Sequence, residues 1–157
     1  MTLLILYLTL ALGVSFLCSI LEAVLLSVNA PYIAALVRDG RPSGQRLQRL
    51  KVDIDRPLAA ILSLNTIAHT VGAAGVGAQA AYLFGDESLG IASAILTVLI
   101  LVLSEIIPKT LGASHWRGLA PIVSRVLGPL IVVMWPLVQL SRGISKLLGA
   151  GGEVAVS

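Results

Sequence analysis

The chain has 157 residues, of which 57% are hydrophobic and only 12% charged, with a mean hydropathy of +0.95. Soluble domains carry about 25% charged residues, so this composition excludes water as the main solvent, and the length suits one small bundle of membrane spans. The formal charge of +3 is modest, and a single cysteine, Cys18, excludes an internal disulfide and a thiolate metal cluster.

The first apolar block runs from Leu3 to about Val28, broken only by small hydroxyl residues, Gly13 and one acid, Glu22. It is longer than the roughly 20 residues that cross a hydrocarbon core. No positive charge precedes it, so it reads as a retained span and not as a signal peptide. Asn29 and Pro31 close it, and Tyr32 to Leu36 is expected to lie along the membrane surface. Arg38, Arg41, Arg46, Arg49, Lys51 and Arg56 then face only Asp39, Asp53 and Asp55. This cationic bias places the loop in the cytoplasm and the N-terminus outside. A nucleic-acid surface would interleave aromatics with such charges, and none are present. Within the loop, Gln45 to Val52 alternates Leu47 and Leu50 with Arg46, Arg49 and Lys51, a pattern expected to rest on lipid headgroups.

Pro57 stands where a helix accepts proline, at its first turn, and the second span is expected to run to about Phe84. Gly72, Gly75 and Gly77 lie among Ala73, Ala74, Ala78 and Ala80, so this helix is expected to be closely packed or to lie at a dimer seam. The acidic turn Gly85-Asp86-Glu87-Ser88 suits the outer side. The third span begins near Leu89 and is expected to end at Pro108, after which Lys109, His115 and Arg117 return the chain to the cytoplasm. Leu119 to Leu140 contains Pro121, Pro129, Pro136 and Arg125, which disfavour a straight fourth span. A kinked or half-inserted helix at the inner interface is expected instead, anchored by Trp116 and Trp135, with the C-terminus inside. The glycine-rich residues 149–157 read as a flexible tail.

Ionisable residues within spans point to function, because burying them is costly unless they are paired or hydrated. At about 1.5 Å per residue, Glu22 lies roughly 9 Å and Ser19 roughly 14 Å from the inner end of the first helix. Asn65 lies roughly 12 Å beyond Pro57, and Glu105 roughly 6 Å from Lys109. Four oxygen-bearing side chains from three helices thus fall in the cytoplasmic half. Pro108 has no amide hydrogen to give to the carbonyl of Ser104, and carbonyls freed in this way commonly hold cations in transporters. Ser104 and Glu105 therefore present adjacent hard oxygens, and the all-oxygen set suits Mg²⁺, Ca²⁺ or Na⁺. Glu22 has two readings, as part of that field or as a partner of Arg49 or Lys51. His69, one turn from Asn65, reads as a packed neutral histidine or as a ligand or proton carrier.

The segment Ser104-Glu105-Ile106-Ile107-Pro108-Lys109 resembles the Gly-Glu-Ile-Ile-Pro-Lys signature of the CNNM/CorC transmembrane domain, also called DUF21. Ser19-Ile20-Leu21-Glu22 and Leu64-Asn65-Thr66 resemble segments of the first and second helices of that family, and the likeness extends to about Leu148. The resemblance implies an all-α integral membrane fold with three transmembrane helices and a juxtamembrane belt, working as a homodimer. It implies a Mg²⁺ transporter that exports Mg²⁺ in exchange for Na⁺, with Ser19, Asn65, Glu105 and a backbone oxygen near Ser104 as ligands. Ser104 replaces the usual glycine. The nucleotide-binding CBS domains of larger members do not follow Ser157, so the chain reads as a piece of a longer protein or a short form. The alternative is a non-transporting scaffold or regulatory subunit that binds cations. Neither metallopeptidase spacing nor a glycine-rich phosphate loop occurs, so no enzyme is expected.

Overall fold

The computed structural model describes the backbone of residues 1–156 and the side chains of residues 1–149. Among these residues every regular element is helical. The first span is α1, Thr2–Ser27; it is followed by two short helices, α2, Ala30–Arg38, and α3, Pro42–Val52. The second span is α4, Asp55–Phe84. A short 3₁₀ turn at Asp86–Ser88 opens the third span, made of α5, Leu89–Leu99, a π-helical segment, Ile100–Ile106, and α6, Ile107–Ser114. The chain ends in α7, Trp116–Val133, and α8, Trp135–Val156.

Each expected span is present, because 26 and 30 residues of apolar helix in α1 and α4 exceed the thickness of a hydrocarbon core. Asn29 starts α2 by accepting a hydrogen bond from the Tyr32 amide at 3.0 Å, and Pro31 and Pro42 occupy first turns where no amide donor is needed. Lys51 Nζ donates to the Leu25 carbonyl at 3.0 Å, satisfying one of the acceptors that the end of α1 leaves open. This ties α3 to the basic end of the bundle.

Two expectations change. Pro108 does not end the third span: it sits in the first turn of α6, and the helix continues to Ser114. The last block is also long and apolar enough to cross a membrane, since α7 has 18 residues. Four segments therefore meet that criterion. The buried face of α7, Ala120, Val123 and Leu127, packs among Cys18, Leu21, Val24 and Leu25 of α1 and the following Val28, together with Leu36, Leu47 and Ile61. α7 therefore packs against the basic ends of α1 and α4. Arg125 is exposed, away from that packed face. Its break from α8 falls at Met134, whereas Pro121 and Pro129 remain inside the helix. Tyr32 locks α2 to α7, donating to the Arg117 carbonyl at 2.6 Å and meeting the Trp116 ring edge-on at 5.0 Å. Trp135 lies beneath the Arg56 guanidinium, 5.0 Å away. The α8 backbone continues through Val156; most of the expected tail, residues 149–157, lies outside the residues with described side chains.

The small residues of α4 serve contact with α1. A methyl group at Gly72 would strike the Ala11 side chain, and one at Gly75 would strike the Tyr7 ring. Their absence lets the two backbones approach closely, which is how helices gain attraction where lipid supplies no hydrophobic force. Gly112 of α6 does the same on the other side of α1: an added Cβ would lie 2.9 Å from Ala23 Cβ and 3.1 Å from the Ile20 carbonyl. Gly72→Val should therefore lower stability by about 1–3 kcal/mol. Gly13→Ala, with nothing within 4 Å of the new methyl, should raise it slightly. Thermal unfolding in one detergent compares the two signs.

Candidate cation site on three helices

The site begins with the backbone of the third span. In an ordinary helix the Pro108 ring would press on the carbonyl four residues earlier, and that carbonyl would have no donor. Here the turn is widened: the Ile107 amide bonds to the Val102 carbonyl, five residues back, within the π-helical segment. Such wide turns recur at functional positions. The freed Ser104 carbonyl then receives the hydroxyl hydrogen of Ser19 at 2.5 Å, and both residues are buried. The Ser104 hydroxyl turns back to the Ile100 carbonyl at 2.7 Å, so it satisfies itself within its own helix.

Glu105, the next residue, keeps partial access, with 29% of its side chain exposed. Its carboxylate lies 3.8 Å from His69 Nε2 on α4, and the same nitrogen is hydrogen-bonded to the buried Ser15 hydroxyl of α1 at 2.7 Å. Ser15 was not singled out from the sequence, and His69 had read foremost as a packed residue. The available signal was a shared spacing, because Ser15 and Ser19 on α1, and Asn65 and His69 on α4, are each four residues apart.

That spacing also locates Asn65. α1 and α4 run antiparallel, and the Ser15–His69 contact fixes their register. One turn toward the basic end is Ser19 on α1 and Asn65 on α4, which brings the two to the same level. The Asn65 Oδ1 atom is buried and has no hydrogen-bond partner among the described residues. A buried carbonyl oxygen without a donor is an uncommon and costly arrangement, about 1–3 kcal/mol, and one that a cation relieves.

Glu22 stands apart from this set. It pairs with Lys109 of α6 at 3.3 Å, and neither Arg49 nor Lys51 is its partner. The pair closes the basic side of the α1–α6 contact, three residues beyond Ser19 and four beyond Glu105. Among the described residues no cluster of three or more His, Cys, Asp or Glu side chains is assembled for a metal. The candidate site is instead built from one carboxylate and neutral oxygens.

The combination of a π-turn carbonyl, an adjacent glutamate and a buried asparagine oxygen lies within a region that matches a family model. The cyclin M transmembrane N-terminal domain aligns with residues 5–155. The chain belongs to the CNNM family. A UPF0053 protein of Synechocystis is 36% identical over 89% of this chain and 40% of its own length. The UPF0053 inner membrane protein YfjD of Escherichia coli is 29% identical over 81% of this chain and 30% of its own length. A DUF21 domain-containing protein of Arabidopsis thaliana, described as chloroplastic, is 30% identical over 78% of this chain and 19% of its own. The CNNM chain therefore spans less than half the length of these curated relatives, and it is a multi-pass membrane protein.

The serine that stands in the CNNM signature where glycine is usual does not crowd the site, because its hydroxyl is held by Ile100. Two substitutions separate structural from functional polar groups here. Ser19→Ala removes the hydroxyl donor from the buried Ser104 carbonyl and should cost about 1–3 kcal/mol. Asn65→Leu removes an oxygen that has no partner, so it should leave stability unchanged or raise it by about 1 kcal/mol. Chemical or thermal unfolding of the detergent-solubilised protein reads both.

Proposed function

We propose that this CNNM chain is a divalent cation transporter that exports Mg²⁺ in exchange for Na⁺ by alternating access. Mg²⁺ is held by the Glu105 carboxylate, the Asn65 amide oxygen, the Ser19 hydroxyl and the Ser104 carbonyl. The observation that carries this reading is the buried, unpartnered Asn65 Oδ1, at the level of a serine that already touches a freed carbonyl. Hard oxygen donors with a single full charge suit Mg²⁺, which keeps several of its waters and needs few protein ligands. The Ser19 hydroxyl is a donor to Ser104 while no cation is bound, and rotation of its hydrogen presents a lone pair to the ion without moving the helices.

The basic end of the bundle is read as cytoplasmic, with the N-terminus outside. Moving two positive charges outward against about 100 mV costs about 4–5 kcal/mol, so export needs a second gradient. Inward Na⁺ supplies one, and the same oxygens can receive it. Ala73, Ala74 and Ala78 are exposed on α4 and present a small-residue surface, which supports assembly as a homodimer.

Glu105→Gln keeps the shape of the site and removes its charge. Reconstituted in liposomes, this variant should lose Mg²⁺ flux by more than about tenfold, with a matching loss of affinity in calorimetry. Full flux through the variant would overturn the assignment.

A further inference from the structure

α2 and α3 lie at the basic end of α1, and between them runs a groove of about 590 Å³. Its floor is apolar, made by Ile33, Ala34, Val37 and Val52, while Arg38, Lys51 and Gln48 stand along it. Val52 is 84% exposed, so the floor continues onto a surface suited to hydrocarbon. Among the described residues no carboxylate lines the groove. Of the acids in the same loop, Asp53 is taken by Arg142 of α8.

Lys51 is half enclosed and gives one of its three ammonium hydrogens to the Leu25 carbonyl, leaving two donors. Partial burial pulls its pKa below the ordinary lysine value, because desolvation disfavours the charged ammonium. The groove opens beside the basic end of α1, which is long and apolar enough to cross a membrane, and its two cations accompany an apolar lining that would suit an acyl chain.

We propose that the groove between α2 and α3 binds an anionic phospholipid, with its phosphate between Arg38 and Lys51 and its acyl chain on Val37 and Val52. Charge complementarity selects this occupant: Asp39 and Asp53 are near in sequence but are not among the lining residues, and the two lining cations attract an anionic headgroup in preference to a zwitterionic one of the same length. The site is separate from the cation site and does not depend on the transport reading.

Native mass spectrometry of the detergent-solubilised chain, offered equal phosphatidylglycerol and phosphatidylcholine, tests it. Wild-type protein should retain phosphatidylglycerol in preference, and Arg38→Gln, an exposed change, should weaken that retention about fivefold. Lys51→Gln should do the same; since it also removes the Leu25 bond, Val37→Trp supplies a second probe that fills the floor and keeps both cations. Lys146→Gln on α8 should change nothing. Equal retention of the two lipids by wild-type protein would overturn the proposal. So would wild-type retention by both Arg38→Gln and Val37→Trp, or displacement of phosphatidylglycerol by millimolar inorganic phosphate, which would mark a free-phosphate site.

Discussion

The Ser19 hydroxyl bonded to the Ser104 carbonyl is the contact on which the rest of the bundle turns. A backbone carbonyl at membrane depth cannot look to water for a donor, so any helix that loses an internal bond must find one in a neighbour. Pro108 creates that demand on the third span, the π-helical turn moves the carbonyl outward, and α1 meets it with a serine. The bond sets the depth and rotation of α1 against the third span, and Gly112 one turn beyond Pro108 allows the close approach it needs.

A second set of constraints places α4 on the same serine face. Gly72 and Gly75 bring its backbone against Ala11 and Tyr7, and this closeness lets His69 reach Ser15. Once that register is set, Asn65 falls level with Ser19, and Glu105 lies within 4 Å of His69. The polar groups of three helices thus converge because small residues on two of them permit it. The Glu22–Lys109 pair completes the junction at its basic side and leaves Glu105 as the carboxylate nearest the buried oxygens.

Much of this was legible in the sequence wherever the deciding physics is local. Spans follow from summed hydropathy, and the freed Ser104 carbonyl follows from the missing amide hydrogen of one proline. Asn65, Ser19 and Glu105 could all be placed in the cytoplasmic half by helix rise alone. What stayed hidden depends on which faces meet. Lys109 instead of Lys51 became the partner of Glu22 because the third span packs along α1 at that level, while Lys51 was drawn to the open carbonyl of Leu25. The Ser15–His69 bond joins residues 54 apart, and only the glycine contacts determine that they meet. Likewise, the prolines of α7 read as breaks, yet its tertiary packing keeps the helix continuous to Val133 and moves the break to Met134.

Occupancy of the proposed site is the most direct test of the assignment. Crystals of the protein equilibrated with Mn²⁺, which shares the oxygen preference of Mg²⁺ and scatters anomalously, locate the ion without assumptions about flux. An anomalous peak about 2–2.6 Å from both the Glu105 carboxylate and the Asn65 Oδ1 atom, next to the Ser104 carbonyl, is the expected result. A peak only elsewhere on the chain, with Asn65 Oδ1 still unpartnered, would contradict the assignment.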